Sequence, residues 1–301
     1  MYLVLGGNGY VGSKFCNALE QRGLPYRAVS RSEVDYADRN TLAEFLKTTN
    51  ATALINAAGY TGKPNVDACE WHKADCTMGN AVLPGIIQES CERVGIPWGH
   101  ISSGCIYSGK RGDGTGFTED DRPNFSFRAN HCSFYSGTKA LGEEILGNHP
   151  SCYVWRLRIP FNHEATDRNY LSKLMRYDRL LDAENSISHL DEFVDQCLNM
   201  IHREAPYGIY NMTNPGSVTA KEVVAMIERE REYRKENGLP CPFPEQFSFF
   251  ESEEEFMKRA AQTPRSNCVL DTTKAADLGF GMRPVHEALK TTLRQYEPAT
   301  Q

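Results

Sequence analysis

The chain has no dense run of lysine and arginine. Its most charged stretch, Glu228 to Lys235, mixes both signs and reads as a solvated helix face. With a net charge of −6 over 301 residues, the basic patch needed for a nucleic-acid backbone or an anionic membrane is missing, and neither partner is expected. No apolar run approaches bilayer-spanning length. Met1 leads straight into Tyr2-Leu3-Val4-Leu5 and then glycines, without a basic segment and long apolar core, so a cytoplasmic location is expected. The ten cysteines include no Cys-x-x-Cys pair, which argues against structural zinc, and no metal site is expected. Most of them read as buried small residues in a reducing compartment. There is no internal repeat.

What is present is an ordinary globular composition, 40% hydrophobic and 24% charged, enough for one large domain or a large and a small one. Short apolar runs at Tyr2–Leu5, Tyr26–Val29, Ala53–Ile55, Ile96–Ser102 and Tyr153–Leu157 predict strands. Between them, helical pattern covers Tyr10–Arg22, Arg39–Thr48, much of Val66–Val94 and Ser133–Leu146. This alternation predicts right-handed βαβ units and a parallel sheet covered on both faces. Pro84 falls inside the third helical stretch, so a break or new start is expected near Met78–Ala81. Beyond residue 160 the alternation becomes irregular. Helices are expected at Asn169–Tyr177, Leu190–His202, Thr219–Lys235, Glu251–Ala261, Thr272–Asp277 and Arg283–Tyr296, and a returning strand at Gly208–Asn211.

Gly6, Gly9 and Gly12 sit between the first strand and the first helix. A tight strand-to-helix turn free of Cβ atoms lets a diphosphate approach backbone N–H groups at a positive helix end. The fold class is therefore α/β, a Rossmann doubly wound parallel sheet with a smaller C-terminal α/β substrate domain. Residues 1–160 are read as the dinucleotide domain, with a returning segment at about 185–215. Residues 161–184 and 216–301 are read as the substrate domain. After the second strand the chain reads Val29-Ser30-Arg31-Ser32, with no carboxylate to hold a free ribose 2′-hydroxyl. Arg31 can pair with a 2′-phosphate, so NADPH is expected ahead of NADH.

Tyr135 and Lys139 are four apart at a helix start, so they share one face. A phenol is a poor acid–base group at neutral pH unless a neighbouring ammonium stabilises its anion. Upstream, the fourth strand ends in Ser102-Ser103, where a hydroxyl could polarise a carbonyl.

In this order of parts the sequence resembles the extended short-chain dehydrogenase/reductases. Ser103, Tyr135 and Lys139 match that superfamily's triad, and Asn56-Ala57-Ala58-Gly59 matches the motif that lines the adenosine side of its cofactor. Further stretches resemble the bifunctional 3,5-epimerase/4-reductases of UDP-rhamnose synthesis, with dTDP-4-dehydrorhamnose reductases and GDP-fucose synthases as cousins. They are Asn56 to Asp67, Gly104-Cys105-Ile106-Tyr107, Gly116 to Phe125, Arg168 to Lys173, Asn211 to Gly216 and Arg265-Ser266-Asn267. The resemblance implies a nicotinamide cofactor held by Gly6, Asn8, Gly9, Tyr10, Val11, Arg31, Ala57, Ala58, Gly59, Tyr135, Lys139 and Pro160. It implies a nucleoside-diphosphate 4-keto-6-deoxy sugar held by Thr61, Lys63, Asn65, Asn169 and Arg265, and a homodimer built on the helices around Ala81–Val94 and Ser133–Leu146. It also implies that Cys105 and Lys173 act as an epimerising base and acid, the thiol being made acidic by nearby lysine. Two other functions fit the same residues: a 4-keto reductase without epimerase activity, and a silent cofactor-binding subunit, which would not need Ser103, Tyr135 and Lys139 together.

Overall fold

The computed structural model describes residues 1–63, 65–147 and 151–297. Pro64, within one of the motifs above, lies outside them. Six parallel strands form one sheet: β1 (Tyr2–Leu5), β2 (Tyr26–Val29), β3 (Ala53–Asn56), β4 (Trp98–Ser103), β5 (Tyr153–Leu157) and β8 (Gly208–Asn211), in the order β2-β1-β3-β4-β5-β8. The order reverses between β1 and β3, which opens a crevice at the carboxyl ends of the strands. The central strands are buried at nearly every position, as a parallel sheet covered on both faces requires.

Helix α1 (Tyr10–Gln21) and helix α7 (Leu190–His202) pack on one face, where Phe15 stacks on Trp155 and meets Phe193 edge-on. Helices α2 (Arg39–Thr48), α4 (Leu83–Val94) and α5 (Phe134–Leu146) cover the other. Local chemistry sets many of the helix ends. Asp38 accepts from the Thr41 amide at 2.7 Å to start α2, and α4 stops at Gly95, whose φ of 73° is left-handed.

The expected interruption near Met78–Ala81 is real but is not a break. A short helix α3 (Lys73–Thr77) runs into a π-turn at Met78–Val82 and then into α4. The Leu83 N–H reaches back five residues to the Met78 carbonyl. Widening the turn accommodates Pro84, which has no N–H to give and would crowd the carbonyl four residues back.

A second apolar cluster joins Phe161, Leu171, Leu174, Val223, Val224, Ile227 and Leu289. It is built from helix α6 (Tyr170–Arg176), helix α8 (Ala220–Glu236), helix α11 (Val285–Gln295) and a two-stranded sheet, β6 (Pro160–Phe161) with β7 (Ser188–His189). Thr219 and Glu222 form a reciprocal cap at the start of α8. Helix α9 (Glu253–Arg259) lies outside this cluster, and helix α10 (Thr273–Asp277) does not belong to it. Ala275 and Phe280 pack beneath the six-stranded sheet, and Cys268 and Leu270 pack with Tyr107 and Phe117. Residues 268–280 therefore join the core of the larger unit, although the sequence reading assigned them to the smaller. No described helix is long and apolar enough to cross a membrane. All ten cysteines are free, and only Cys105, Cys132 and Cys241 are not buried.

Candidate active site

The glycine turn forms the floor of the crevice. Gly6 has φ +73°, and a Cβ there would lie 2.8 Å from the Ala57 carbonyl carbon. A Cβ on Gly12 would come within 2.2 Å of the Gly6 carbonyl oxygen, so helix and turn can meet only without one. The Gly9 amide closes the turn on the Gly6 carbonyl at 2.9 Å. No side chain caps α1, which leaves its first-turn amides available to an anion.

A hollow of about 420 Å³ runs from this turn to the tip of β2, lined by Gly6, Asn8, Gly9, Arg31, Ala57, Ala58 and Gly59. Arg31 lies over the Tyr36 ring at 5.6 Å, and Ser30 and Ser32 share a hydrogen bond at 2.8 Å. The strand tip thus offers a cation and hydroxyls; the carboxylate that lines the hollow, Asp75, comes from α3 and not from the strand tip. These features fit a dinucleotide whose ribose carries a phosphate. Asn56 shapes the Ala57–Gly59 turn: buried, it accepts from the Ala58 amide at 3.1 Å and pairs with His100 at 3.0 Å.

A second cavity, of about 620 Å³, shares Gly9, Ala57, Ala58 and Gly59 with the first. It gathers Tyr10, Val11, Thr61, Lys63, Ser103, Cys105, Tyr135, Lys139, Pro160, Lys173 and Arg265. The hydroxyl, phenol, two ammonium groups and thiol singled out in sequence therefore face one space, although they come from β4, the 3-10 turn Gly104–Ile106 that follows it, α5 and α6. Ser133 caps α5 by accepting from the Ser136 amide at 3.2 Å, and its first turn turns Tyr135 and Lys139 the same way. The Lys139 ammonium donates to the Ile101 carbonyl at 3.1 Å.

Burial dominates the electrostatics. It pushes the Tyr135 phenol well above its ordinary value, against a hydrogen bond with Ser103, and it pushes the Lys139 ammonium down. Burial thus favours the protonated, hydrogen-bond-donating form of Tyr135. Cys105 departs from expectation. Burial raises its thiol, and Ser103, Ser136, Arg158 and Lys139 only partly oppose the rise. Lys173 is drawn down by burial and then by Arg168 and Arg176.

Two residues read as substrate ligands do other work. Asn169 is fully buried and caps α6, accepting from the Leu171 amide at 3.0 Å while its amide nitrogen donates to the Asn162 and Glu164 carbonyls. Asn65 caps the 3-10 turn Val66–Glu70 through the Asp67 amide at 2.8 Å and borders a different, open groove. Neither lines the second cavity.

Conversely, Asn80, Arg158, Arg168 and Ser266 line that cavity unforeseen. The π-turn carries Asn80 inward, where it holds both the N–H and the C=O of Tyr60, at 2.9 and 2.8 Å, and donates to Thr138 at 3.2 Å. Pro84 is the one sequence signal that points to this arrangement. Arg158 binds the Ser266 carbonyl at 2.6 Å and its hydroxyl at 3.1 Å. Behind α5, Glu143 and Arg156 form a buried ion pair at 2.8 Å, to which the Ser102 hydroxyl also donates.

Comparison with known proteins agrees with this construction. The chain is 33% identical over 278 residues to a bifunctional dTDP-4-dehydrorhamnose 3,5-epimerase/dTDP-4-dehydrorhamnose reductase of Arabidopsis thaliana, covering 91% of this chain and 85% of the relative. The L780 UDP-rhamnose synthase of Acanthamoeba polyphaga mimivirus superposes with a TM-score of 0.85 at 23% identity, over 98% of each chain. The dTDP-4-dehydrorhamnose reductase of Bacillus anthracis, solved in complex with NADP, superposes with a TM-score of 0.76 at 17% identity, over 98% of this chain and 97% of that one. The family model described as the RmlD substrate binding domain matches residues 1–297. By sequence and by fold, this chain belongs to the RmlD substrate binding domain family, alongside the dTDP-4-dehydrorhamnose reductases.

Proposed function

We propose that the chain is an NADPH-dependent 3,5-epimerase/4-reductase of a nucleoside-diphosphate 4-keto-6-deoxy sugar, yielding a deoxysugar nucleotide such as an L-rhamnose donor. The observation that carries this reading is the shared cavity. Cys105 and Lys173 open into the same space as Ser103, Tyr135 and Lys139, whereas reduction alone needs no thiol.

Gly6, Asn8, Gly9 and Arg31 would hold the diphosphate and 2′-phosphate ends of the cofactor, with Ala57, Ala58 and Gly59 beside its adenosine half. Tyr10, Val11 and Pro160 line the path to the reacting end. When bound, the reduced nicotinamide supplies the hydride for a C4 ketone. Ser103 hydrogen-bonds that ketone, and the protonated Tyr135 gives its proton to the C4 oxygen as charge develops there. Lys139 holds positive charge within one helical turn of Tyr135, which eases loss of the proton.

Before reduction, the ketone acidifies the protons on C3 and C5. Cys105 removes a proton from one face as thiolate, and Lys173 returns one to the other. Ser103 and Tyr135 hold the enolate oxygen between the two events. Burial, with Arg168 and Arg176, lowers the proton affinity of Lys173, which eases the transfer. Thr61, Lys63 and Arg265 border the same cavity and would grip the sugar and diphosphate.

The test is incubation of the purified protein in deuterated water with NADPH and the UDP or dTDP 4-keto-6-deoxyglucose. Bifunctional enzyme oxidises NADPH and places deuterium at C3 and C5. Oxidation only with pre-epimerised substrate, without deuterium, establishes a reductase alone. Cofactor binding with neither activity establishes a silent subunit.

A further inference from the structure

Glu70 has no part in the chemistry above, yet one of its oxygens joins two segments far apart in the sequence. Glu70 Oε1 accepts from the Phe134 amide at 2.8 Å and from the Thr263 hydroxyl at 2.9 Å. Phe134 is the first residue of α5, and Tyr135 follows it. Thr263 begins the segment that carries Pro264, Arg265 and Ser266 past the mouth of the second cavity. Resting on the epimerase/reductase reading, we propose that Glu70 is a positioning residue that couples the seating of this strap on the sugar nucleotide to the placement of Tyr135.

The strap is held at both ends. Beyond the cavity, Arg158 binds the Ser266 carbonyl and hydroxyl. On the near side, the 3-10 turn Val66–Glu70 holds it twice: through Glu70 to Thr263, and through Asp67, which grips the Arg265 guanidinium with two bonds at 2.6 and 2.8 Å. Pro264 and the Arg265 backbone thus border the cavity on a segment anchored at Thr263, at the Arg265 guanidinium and at Ser266.

The α5 end of the tether meets an unserved donor. A helix leaves its first N–H groups without intrahelical partners, and Ser133 serves the Ser136 amide, not that of Phe134. A carboxylate at this end is also favoured by the helix dipole. Because one oxygen accepts both bonds, a strap displaced from Thr263 changes the orientation and charge density offered to Phe134. The neighbouring side chain is Tyr135, whose oxygen must meet the ketone within hydrogen-bond reach. Capping by a water molecule could satisfy Phe134 equally well, but it would transmit nothing from the strap.

The tether separates effects on binding from effects on turnover. Thr263→Ala removes the strap bond alone and should raise KM for the sugar nucleotide by about 10-fold, as expected for one charge-assisted hydrogen bond, with Thr263→Ser restoring it. Glu70→Ala removes both bonds and should lower kcat as well, by about 10–100-fold, while the NADPH dissociation constant changes by less than about 2-fold. Hydrogen exchange at the Phe134 amide should quicken in Thr263→Ala, although that residue does not touch Phe134. Wild-type kinetics and Phe134 exchange in Thr263→Ala would overturn the proposal, as would a Glu70→Ala protein that loses only thermal stability. Should Glu70→Ala fail to fold, the Thr263→Ala and Thr263→Ser pair decides alone. If wild-type enzyme turns over no 4-keto sugar nucleotide, the reading of the reaction fails. Phe134 exchange in Thr263→Ala, measured with and without UDP or dTDP, still decides the coupling.

Discussion

Replacing Cys105 by serine should separate epimerisation from reduction. The thiol opens into the catalytic cavity from a short 3-10 turn, Gly104–Ile106, whose Cys105 amide donates to the Ser103 hydroxyl at 3.2 Å. Serine keeps that backbone bond and nearly the same volume, so the fold and the Ser103 position should survive. What is lost is the thiol, which ionises far more readily than the serine hydroxyl that replaces it. A positioned acid–base group is worth about 10²–10⁴-fold, and deuterium entry at C3 and C5 should fall by that factor. Reduction of a pre-epimerised substrate with NADPH should stay within about 3-fold of wild type, since general acid help from Tyr135 is untouched. The raised thiol adds a pH signature. Burial holds Cys105 above its ordinary value, so at neutral pH the thiolate is the minor form. While that holds, the thiolate fraction grows tenfold per pH unit, and wild-type exchange should rise with a logarithmic slope near one from about pH 6 to 8. Removing the Arg158 cation, which opposes the rise, should move the profile to higher pH. Isotope exchange followed by mass spectrometry or proton NMR reads both effects. Undiminished exchange in the serine variant, or a flat wild-type profile, would refute the thiolate mechanism.

Tyr135→Phe should keep NADPH affinity and lose about 10²–10⁴-fold in reductase kcat, read by loss of nicotinamide absorbance. Arg31→Ala should weaken NADPH by about 10–100-fold while leaving NADH nearly unchanged, because only NADPH offers a 2′-phosphate to the guanidinium; fluorescence titration of both cofactors checks this. We also expect a homodimer. Val82 on the π-turn and Ile145 on α5 stand exposed, on the helices expected to pair. Light scattering at micromolar concentration should give about twice the 33.9 kDa chain mass, and Ile145→Glu should return it to the monomer value.

Much of the larger unit was legible because its signals are local. Strand length, helical period and the glycine turn each depend on a few neighbouring residues, and their order fixes a βαβ sheet. Tyr135 and Lys139 were legible for the same reason, since a four-residue spacing on a helix needs no tertiary knowledge. The failures share one cause, which is that the sequence does not say what a side chain faces. Asn65 and Asn169 lie in segments whose resemblance implies sugar contacts, but asparagine before a helical turn is also the favoured cap, and that is the role both take. Arg158 and Ser266 meet across 108 residues, a contact no local pattern announces. The expectation of an acidic Cys105 counts a neighbouring charge and omits burial, which pushes the thiol the other way. Pro84 was read correctly as a disturbance. That the disturbance would be a widened turn delivering Asn80 to the Tyr60 backbone depended on α5 lying alongside.

The strand β8 has a consequence for synthesis. It pairs with β5 along Tyr153–Arg156, yet it leaves the ribosome roughly fifty residues later. At about 5–20 residues per second, the nascent five-stranded sheet waits several seconds with the apolar edge of β5 open. An open edge of this kind is a template for pairing with other chains. Chaperone dependence and yield should therefore respond to translation speed between residues 157 and 211. A fragment ending near residue 160, although it contains the whole glycine turn and both Tyr135 and Lys139, should aggregate where the full chain stays soluble.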